Sequence, residues 1–188
     1  DVIEHNRDVV VIIDEAYADF SGSSALELTK EYDNVLIVQT YSKSRSLAGM
    51  RIGYDMGNPE LIRAMNDVRY SYNSYPMTRL SVALGAAALE DEAYFRETVA
   101  KVIETREWTK KELKRLGFSF RDSQTNFIFA THESVPAQTI FDVLREKHIF
   151  VRHFGQKRIE NYLRISIGTQ AEMERFIRET EQIIAQNR

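Results

Sequence analysis

Cysteine is absent from the 188-residue chain, so neither a disulfide framework nor thiolate chemistry is open to it. No apolar run approaches the roughly 20 residues that a membrane helix needs. Positive charge is not in excess. Lys and Arg number 25 against 28 Asp and Glu, a net charge of -3, which leaves no basic footprint for nucleic acid and no polybasic membrane signal. The four histidines (His5, His132, His148, His153) show no metal-ligand spacing and read as surface or core residues. An initiator Met and a signal peptide are both missing, and Asp1 stands a few residues before a strongly apolar stretch. The expectation is a fragment of a longer protein. What is present is ordinary for a globular domain or two small ones, with 43% hydrophobic and 28% charged residues. The lack of cysteine fits a cytoplasmic location.

Residues 9–13 (VVVII) are an unbroken β-branched run without alternation, which predicts a parallel strand buried on both faces. Residues 35–38 (VLIV) read the same way. Between them lie turn residues 21–24 and a short helical stretch at 25–32, an α/β order of strand, helix, strand. Asn58 and Pro59 open a helix as N-cap and first helical residue, running to about residue 70. An aromatic loop at 70–76 precedes an Ala- and Leu-rich helix at 78–90.

From Asp91 the character changes. A long helix at 91–116 ends at Gly117, a C-cap candidate. Its apolar stripe of Phe95, Val99, Val102 and Ile103 lapses until Leu113 and Leu116, which suits a helix that changes packing partners. The boundary is therefore expected near residue 90, giving domains 1–90 and 91–188. The remainder predicts strand 126–130, helix 136–147, strands 150–154 and 162–167, and helix 172–185, with a capping box from Thr169 to Glu172. This is a small α+β domain. Trp108 and the tyrosines between 70 and 75 read as packing residues.

Both candidate parallel strands end in reactive chemistry. The first leads into Asp14-Glu15-Ala16-Tyr17 and the second into Thr40-Tyr41-Ser42-Lys43. Ligands of open α/β sheets bind beyond the carboxyl ends of the strands, so Asp14, Tyr17 and Lys43 are expected at one sheet edge. Taken singly, Asp14 is usually a helix N-cap or a solvated strand end, Lys43 an exposed loop lysine and Arg164 a solvent-facing strand arginine, and Arg152 is nearly as readily an exposed strand arginine. Arg164 alternates with Leu163, Ile165 and Ile167 and points to the opposite face. Arg45 reads as a surface residue.

The stretch TYSKSRSLAGMRIGY at 40–54 resembles the lysine motif of aminotransferases of the aspartate aminotransferase fold, which use pyridoxal 5'-phosphate (PLP). The wording is most similar to that of histidinol-phosphate aminotransferases. The resemblance covers the whole chain and implies the C-terminal half of such an enzyme. Its fold class would be α/β: a PLP-dependent transferase of fold type I, as the C-terminal part of the large parallel-sheet domain plus a small α+β domain. It implies Lys43 as the Schiff-base lysine that also moves the substrate α-proton. Asp14 would keep the pyridine nitrogen protonated, and Tyr17 would hydrogen-bond the phenolic oxygen. Ser42, Thr40 and Arg51 would bind the phosphate. Arg164 would hold the substrate carboxylate, Arg152 the phosphate end of the substrate, and Asn126 would lie near the substrate. Many relatives carry glycine where this chain has Ser46. The family's phosphate loop, its ring-stacking aromatic and its asparagine beside the phenolic oxygen would lie upstream of residue 1, and its site would be completed at a homodimer interface.

The activity implied is transfer of an amino group between L-histidinol phosphate and 2-oxoglutarate, in histidine biosynthesis, with small amino acids and 2-oxo acids as partners. Alternatives are an aromatic amino acid aminotransferase, a decarboxylase of threonine phosphate, or a PLP-sensing module of a transcription regulator. A truncated sheet is expected to expose apolar faces and to rely on self-association or on bound remnants of the missing half.

Overall fold

The computed structural model describes residues 1–187. Two compact units are present, Asp1–Glu97 and Thr98–Arg188, and the division falls within one long helix.

The first unit is built on a three-stranded sheet. Strands β1 (Val11–Asp14) and β2 (Val35–Thr40) pair in parallel, Val11 opposite Val35 and Asp14 opposite Val38. Strand β3 (Gly53–Gly57) pairs antiparallel with β2, so the sheet is mixed. Val35, Leu36 and Ile37 of β2 are buried, as a central strand requires. β1 departs from the sequence expectation. It starts at Val11, not Val9, and Ile12 is 63% exposed. As an edge strand it is flanked only by β2, and one face has no cover among the described residues. The stretch expected as helix 25–32 is a 3-10 turn over Leu26–Lys30. β3 was not anticipated.

Helix α1 (Pro59–Tyr72) begins as expected, with Asn58 Oδ1 accepting from Glu60 N–H at 2.8 Å. It continues two residues into the expected aromatic loop. Helix α2 (Arg79–Glu90) is capped by Thr78. Both helices carry exposed apolar side chains, among them Val68, Leu80, Val82 and Leu89, and Tyr72 and Tyr75 are nearly fully exposed.

Helix α3 (Glu92–Arg115) leads into Gly117, whose φ of 91° only glycine adopts without strain. The apparent lapse in its apolar stripe is chemical, not geometric. Thr105, Arg106, Thr109 and Lys110 continue the stripe and are buried. Trp108 packs partly against the core.

The second unit holds an antiparallel sheet in the order β4 (Phe118–Phe120), β5 (Phe127–His132), β7 (Leu163–Ser166), β6 (Arg152–His153). β4 was not anticipated, being three residues long. Alternation holds along β7, where Leu163 and Ile165 are buried and Arg164 and Ser166 exposed. Helices α4 (Ala137–Glu146) and α5 (Gln170–Gln186) add Ile140, Leu144, Met173, Phe176 and Ile183 to one core with Leu113 and Ile128. The Thr169–Glu172 capping box is formed in both directions. His132 ties the end of β5 down: Nδ1 accepts from the N–H groups of Ser134 and Val135, so Nε2 is the donor to the Leu116 carbonyl at 3.0 Å.

The buried cations of α3 are bound at their tips. Arg106 Nη1 donates to the Thr125 carbonyl at 3.0 Å. Lys110 Nζ reaches Asp122 at 2.7 Å and Glu107 at 2.9 Å. The Lys110 hydrogen bond holds the Asp122 carboxyl below its ordinary value. Burial opposes the charge of Glu107, but hydrogen bonds from Lys110 and Arg106 outweigh it, and its carboxyl is also lowered. Depressed carboxyls contribute stability above the ordinary carboxylate range and lose it as pH falls through the folded values. Urea midpoints at pH 7 and pH 3 should therefore differ more in the parent chain than in Lys110→Met. An equal acid loss in both would mean that this cluster does not carry the dependence.

Candidate active site

Asp14 closes β1, and Lys43 follows the end of β2 by three residues. Because the two strands are parallel and in register, both leave the sheet at the same edge. Asp14 is exposed, and its Oδ1 accepts from Ala16 N–H at 3.0 Å, which turns the chain sharply after the strand. Tyr17 then starts a 3-10 turn, Ala18–Phe20, pinned by the buried ring of Phe20. The amine of Lys43 lies over the Tyr17 ring, 5.5 Å from its centroid.

Two hydroxyls gather beside the lysine. Thr40 Oγ1 accepts from Ser42 N–H at 3.1 Å and donates to Ser42 Oγ (3.0 Å) or to the Ile52 carbonyl (3.1 Å). Arg51 is exposed at the far end of the loop, with Nη1 donating to the Ala48 carbonyl at 3.1 Å. Its other N–H groups have no partner among the described residues.

Helix α2 backs the loop. Ser81 Oγ donates to the Met50 carbonyl at 3.0 Å. Gly85 packs closely against the loop, since a Cβ there would meet Ile52 Cδ1 at 2.9 Å and that side chain would have to shift. Arg45 corrects its expected surface role. It is half-buried, donates to the Ala88 carbonyl at 2.7 Å, and lies over the rings of Phe95 (4.0 Å) and Tyr41 (5.3 Å).

Three contributors escaped the sequence reading. Glu15 accepts from Ala25 N–H (2.5 Å), Ser24 Oγ (2.7 Å) and Gln39 Nε2 (2.8 Å), joining β1, β2 and the turn between them. Burial works against its charge, yet those three bonds prevail and hold the carboxyl below its ordinary value. Ser44, directly after the lysine, is buried and donates to the Asp19 carboxylate. No sequence signal links residues 19 and 44. Glu15 carried one, a carboxylate directly after the strand-ending Asp14, but its partners lie elsewhere in the chain.

In the second unit, Arg164 and Arg152 are directly opposed on β7 and β6, and Phe129 of β5 opposes Arg164 on its other side. Both arginines are exposed, lying over Phe127 (5.6 Å) and Phe154 (5.7 Å). Neither makes an ion pair among the described residues. Asn126 precedes β5 and is half-buried, its carbonyl accepting from Ile167 N–H at 2.9 Å.

The fold and these motifs define a class. The chain matches the profile for aminotransferase class I and II over residues 1–179 and belongs to that family. Within it, the chain is 50% identical to the histidinol-phosphate aminotransferase of Brachyspira hyodysenteriae over 98% of its own length. It is also 50% identical to that of Clostridium acetobutylicum, again over 98% of its length. It spans about half of those relatives, 52% of each. Among solved structures it is similar to histidinol-phosphate aminotransferase from Sinorhizobium meliloti in complex with pyridoxal-5'-phosphate. That likeness has a TM-score of 0.82 and 29% identity, and covers 96% of this chain and 50% of that one. The fold is therefore that of the fold type I PLP-dependent transferases.

The serine at position 46 carries a backbone cost. Ser46 stands at φ 56°, in the left-handed region. Ser46→Gly should stabilise the chain by about 1 kcal/mol through release of that strain. The check is a higher urea midpoint at an unchanged denaturant slope; a lower midpoint would show that the serine side chain is needed.

Proposed function

We propose that this chain carries the lysine segment and the substrate-anion segment of a PLP-dependent aminotransferase. The observation that carries the reading is the Lys43 amine over the Tyr17 ring, beside the Thr40–Ser42 hydroxyl pair, at the carboxyl edge of two parallel strands. The residues fit the cofactor chemically: an accessible amine, a carboxylate, a phenol, two hydroxyls and an exposed guanidinium, all on one unit of the chain.

In this reading PLP supplies electron withdrawal from the substrate α-carbon. Asp14, whose Oδ2 has no partner among the described residues, would hold a proton on the ring nitrogen. The Tyr17 hydroxyl would donate to the phenolic oxygen. Thr40, Ser42 and Arg51 would bind the phosphate. Lys43 would hold the cofactor and move the proton at the substrate α-carbon. Arg164 binds the α-carboxylate, Arg152 the substrate phosphate, and Asn126 lies beside the substrate.

The substrate pair is L-histidinol phosphate and 2-oxoglutarate, supported by the identity to histidinol-phosphate aminotransferases and by the paired arginines, which offer two anion contacts. A homodimer completes the reading, for which the exposed apolar side chains of β1, α1 and α2 offer area, and a cytoplasmic location goes with the biosynthetic role proposed. The domains are residues 1–90, the PLP-binding part, and 91–188, the small domain.

Addition of PLP, borohydride reduction and peptide mapping test the lysine. Label should concentrate at Lys43 and vanish in Lys43→Ala. Label spread evenly over exposed lysines would remove the assignment. In the complete polypeptide, Arg152→Ala should lower kcat/KM for the phosphorylated substrate by about tenfold or more, as loss of a charge-assisted hydrogen bond does. Unphosphorylated amino acids should be spared; an equal loss on both would dismiss the phosphate role.

A further inference from the structure

A lysine side chain has four rotatable bonds, so its amine is only as well placed as its backbone. The segment after β2 has no regular structure at Lys43. Its own backbone bonds, Ser46 N–H to the Lys43 carbonyl (3.2 Å) and Leu47 N–H to the Tyr41 carbonyl (3.0 Å), close a local turn. The ties from α2 reach Arg45, Met50 and Ile52, and so hold its far side. None of these relates the lysine to the strand end that carries Tyr17.

Ser44 does. Its neighbour Lys43 is exposed, and a serine in such a loop would ordinarily be solvated, yet Ser44 is 6% exposed. Its hydroxyl donates to the carboxylate of Asp19, 25 residues away in sequence. Asp19 belongs to the 3-10 turn that Tyr17 begins and Phe20 anchors in the core. A continuous path runs from the core through Phe20, the turn and Asp19 to Ser44 and the lysine backbone. A hydroxyl-to-carboxylate bond is charge-assisted, and its partial burial shields it from water.

We propose that the Ser44–Asp19 hydrogen bond fixes the lysine segment on the Tyr17 turn, making Ser44 and Asp19 positioning residues for the Lys43 amine. The functional half of this statement rests on the assignment of Lys43 above; the structural half does not. Asp19 is exposed, so removing either side chain leaves no buried carboxylate without a partner, and the fold should survive.

Hydrogen exchange of this chain without cofactor tests the structural half. In Ser44→Ala and in Asp19→Ala, the Ser46 and Leu47 amides should exchange about tenfold faster than in the parent. The double variant should be no faster than either single one, because one bond is lost in all three. Exchange within twofold of the parent, or single effects that multiply in the double variant, would overturn the proposal. Asp19→Ala changes an exposed residue, so it decides the matter even should Ser44→Ala fail to fold.

The second readout is PLP and borohydride labelling of Lys43 relative to Lys30, an exposed lysine elsewhere on the same unit. That ratio should fall several-fold in each variant, whereas a merely structural bond would leave it unmoved. An unchanged ratio would overturn the positioning role. A parent chain that shows no preference for Lys43 would instead count against the lysine assignment, and the exchange result would still decide the clamp.

Discussion

Parallel pairing of β1 with β2 is the constraint on which the candidate site depends. Strands that run the same way deliver their following residues to the same edge, and the register of Asp14 opposite Val38 sets how far each reaches. Antiparallel pairing of the same strands would send Asp14 and Lys43 to opposite ends of the sheet. The register is reinforced beyond the ladder by Glu15, whose carboxylate takes a hydrogen bond from Gln39 of β2 and two from the turn at Ser24 and Ala25. A lowered carboxyl there is a stability statement: the charged form is the bound form, so the knot is intact near neutrality and loosens only in acid.

The loop after β2 is then held under strain. Ser46 and Arg51 both stand at φ 56°, a conformation that costs a non-glycine residue about 1–2 kcal/mol. Such a cost persists only where the surroundings over-determine the backbone. Here α2 supplies the determination through the Ser81–Met50 bond, the glycine contact at Ile52 and the Arg45–Ala88 bond. Arg45 shows how the tie is made with a charged residue. Its guanidinium lies between aromatic faces and spends an N–H on a helix-terminal carbonyl, so it is held without a carboxylate.

What the sequence made legible follows from period and punctuation. β2, the Asn58–Pro59 helix start and the Thr169–Glu172 box are local signals, and they appear where they were expected. β3 was not legible because glycine stands at both of its ends and no β-branched residue lies within it. The burial of Arg106 and Lys110 was hidden because polar identity ordinarily marks a solvated face. Glu107 on the same helix, together with Thr125 and Asp122 brought in by the tertiary fold, makes those cations tenable inside. In the candidate site the residue types were legible, but their tethers were not. Ser44–Asp19 and Glu15–Gln39 join residues more than 20 apart in sequence, and no spacing rule connects them.

The second unit poses the converse problem, an arrangement that stability alone would not choose. Like charges directly opposite one another across a sheet are destabilising, and Arg152 and Arg164 are so opposed with no carboxylate bound to either among the described residues. Water on the open face screens the repulsion, and the rings of Phe127 and Phe154 beneath the guanidinium groups offset part of it. In the function proposed above, a bound carboxylate or phosphate would turn that repulsion into charge-assisted contacts. A solvent-facing strand built only to fold would gain by replacing one of these arginines with threonine or glutamate. The opposed pair is therefore the feature of this sheet face that the proposed anion-binding role would explain and that folding stability alone does not.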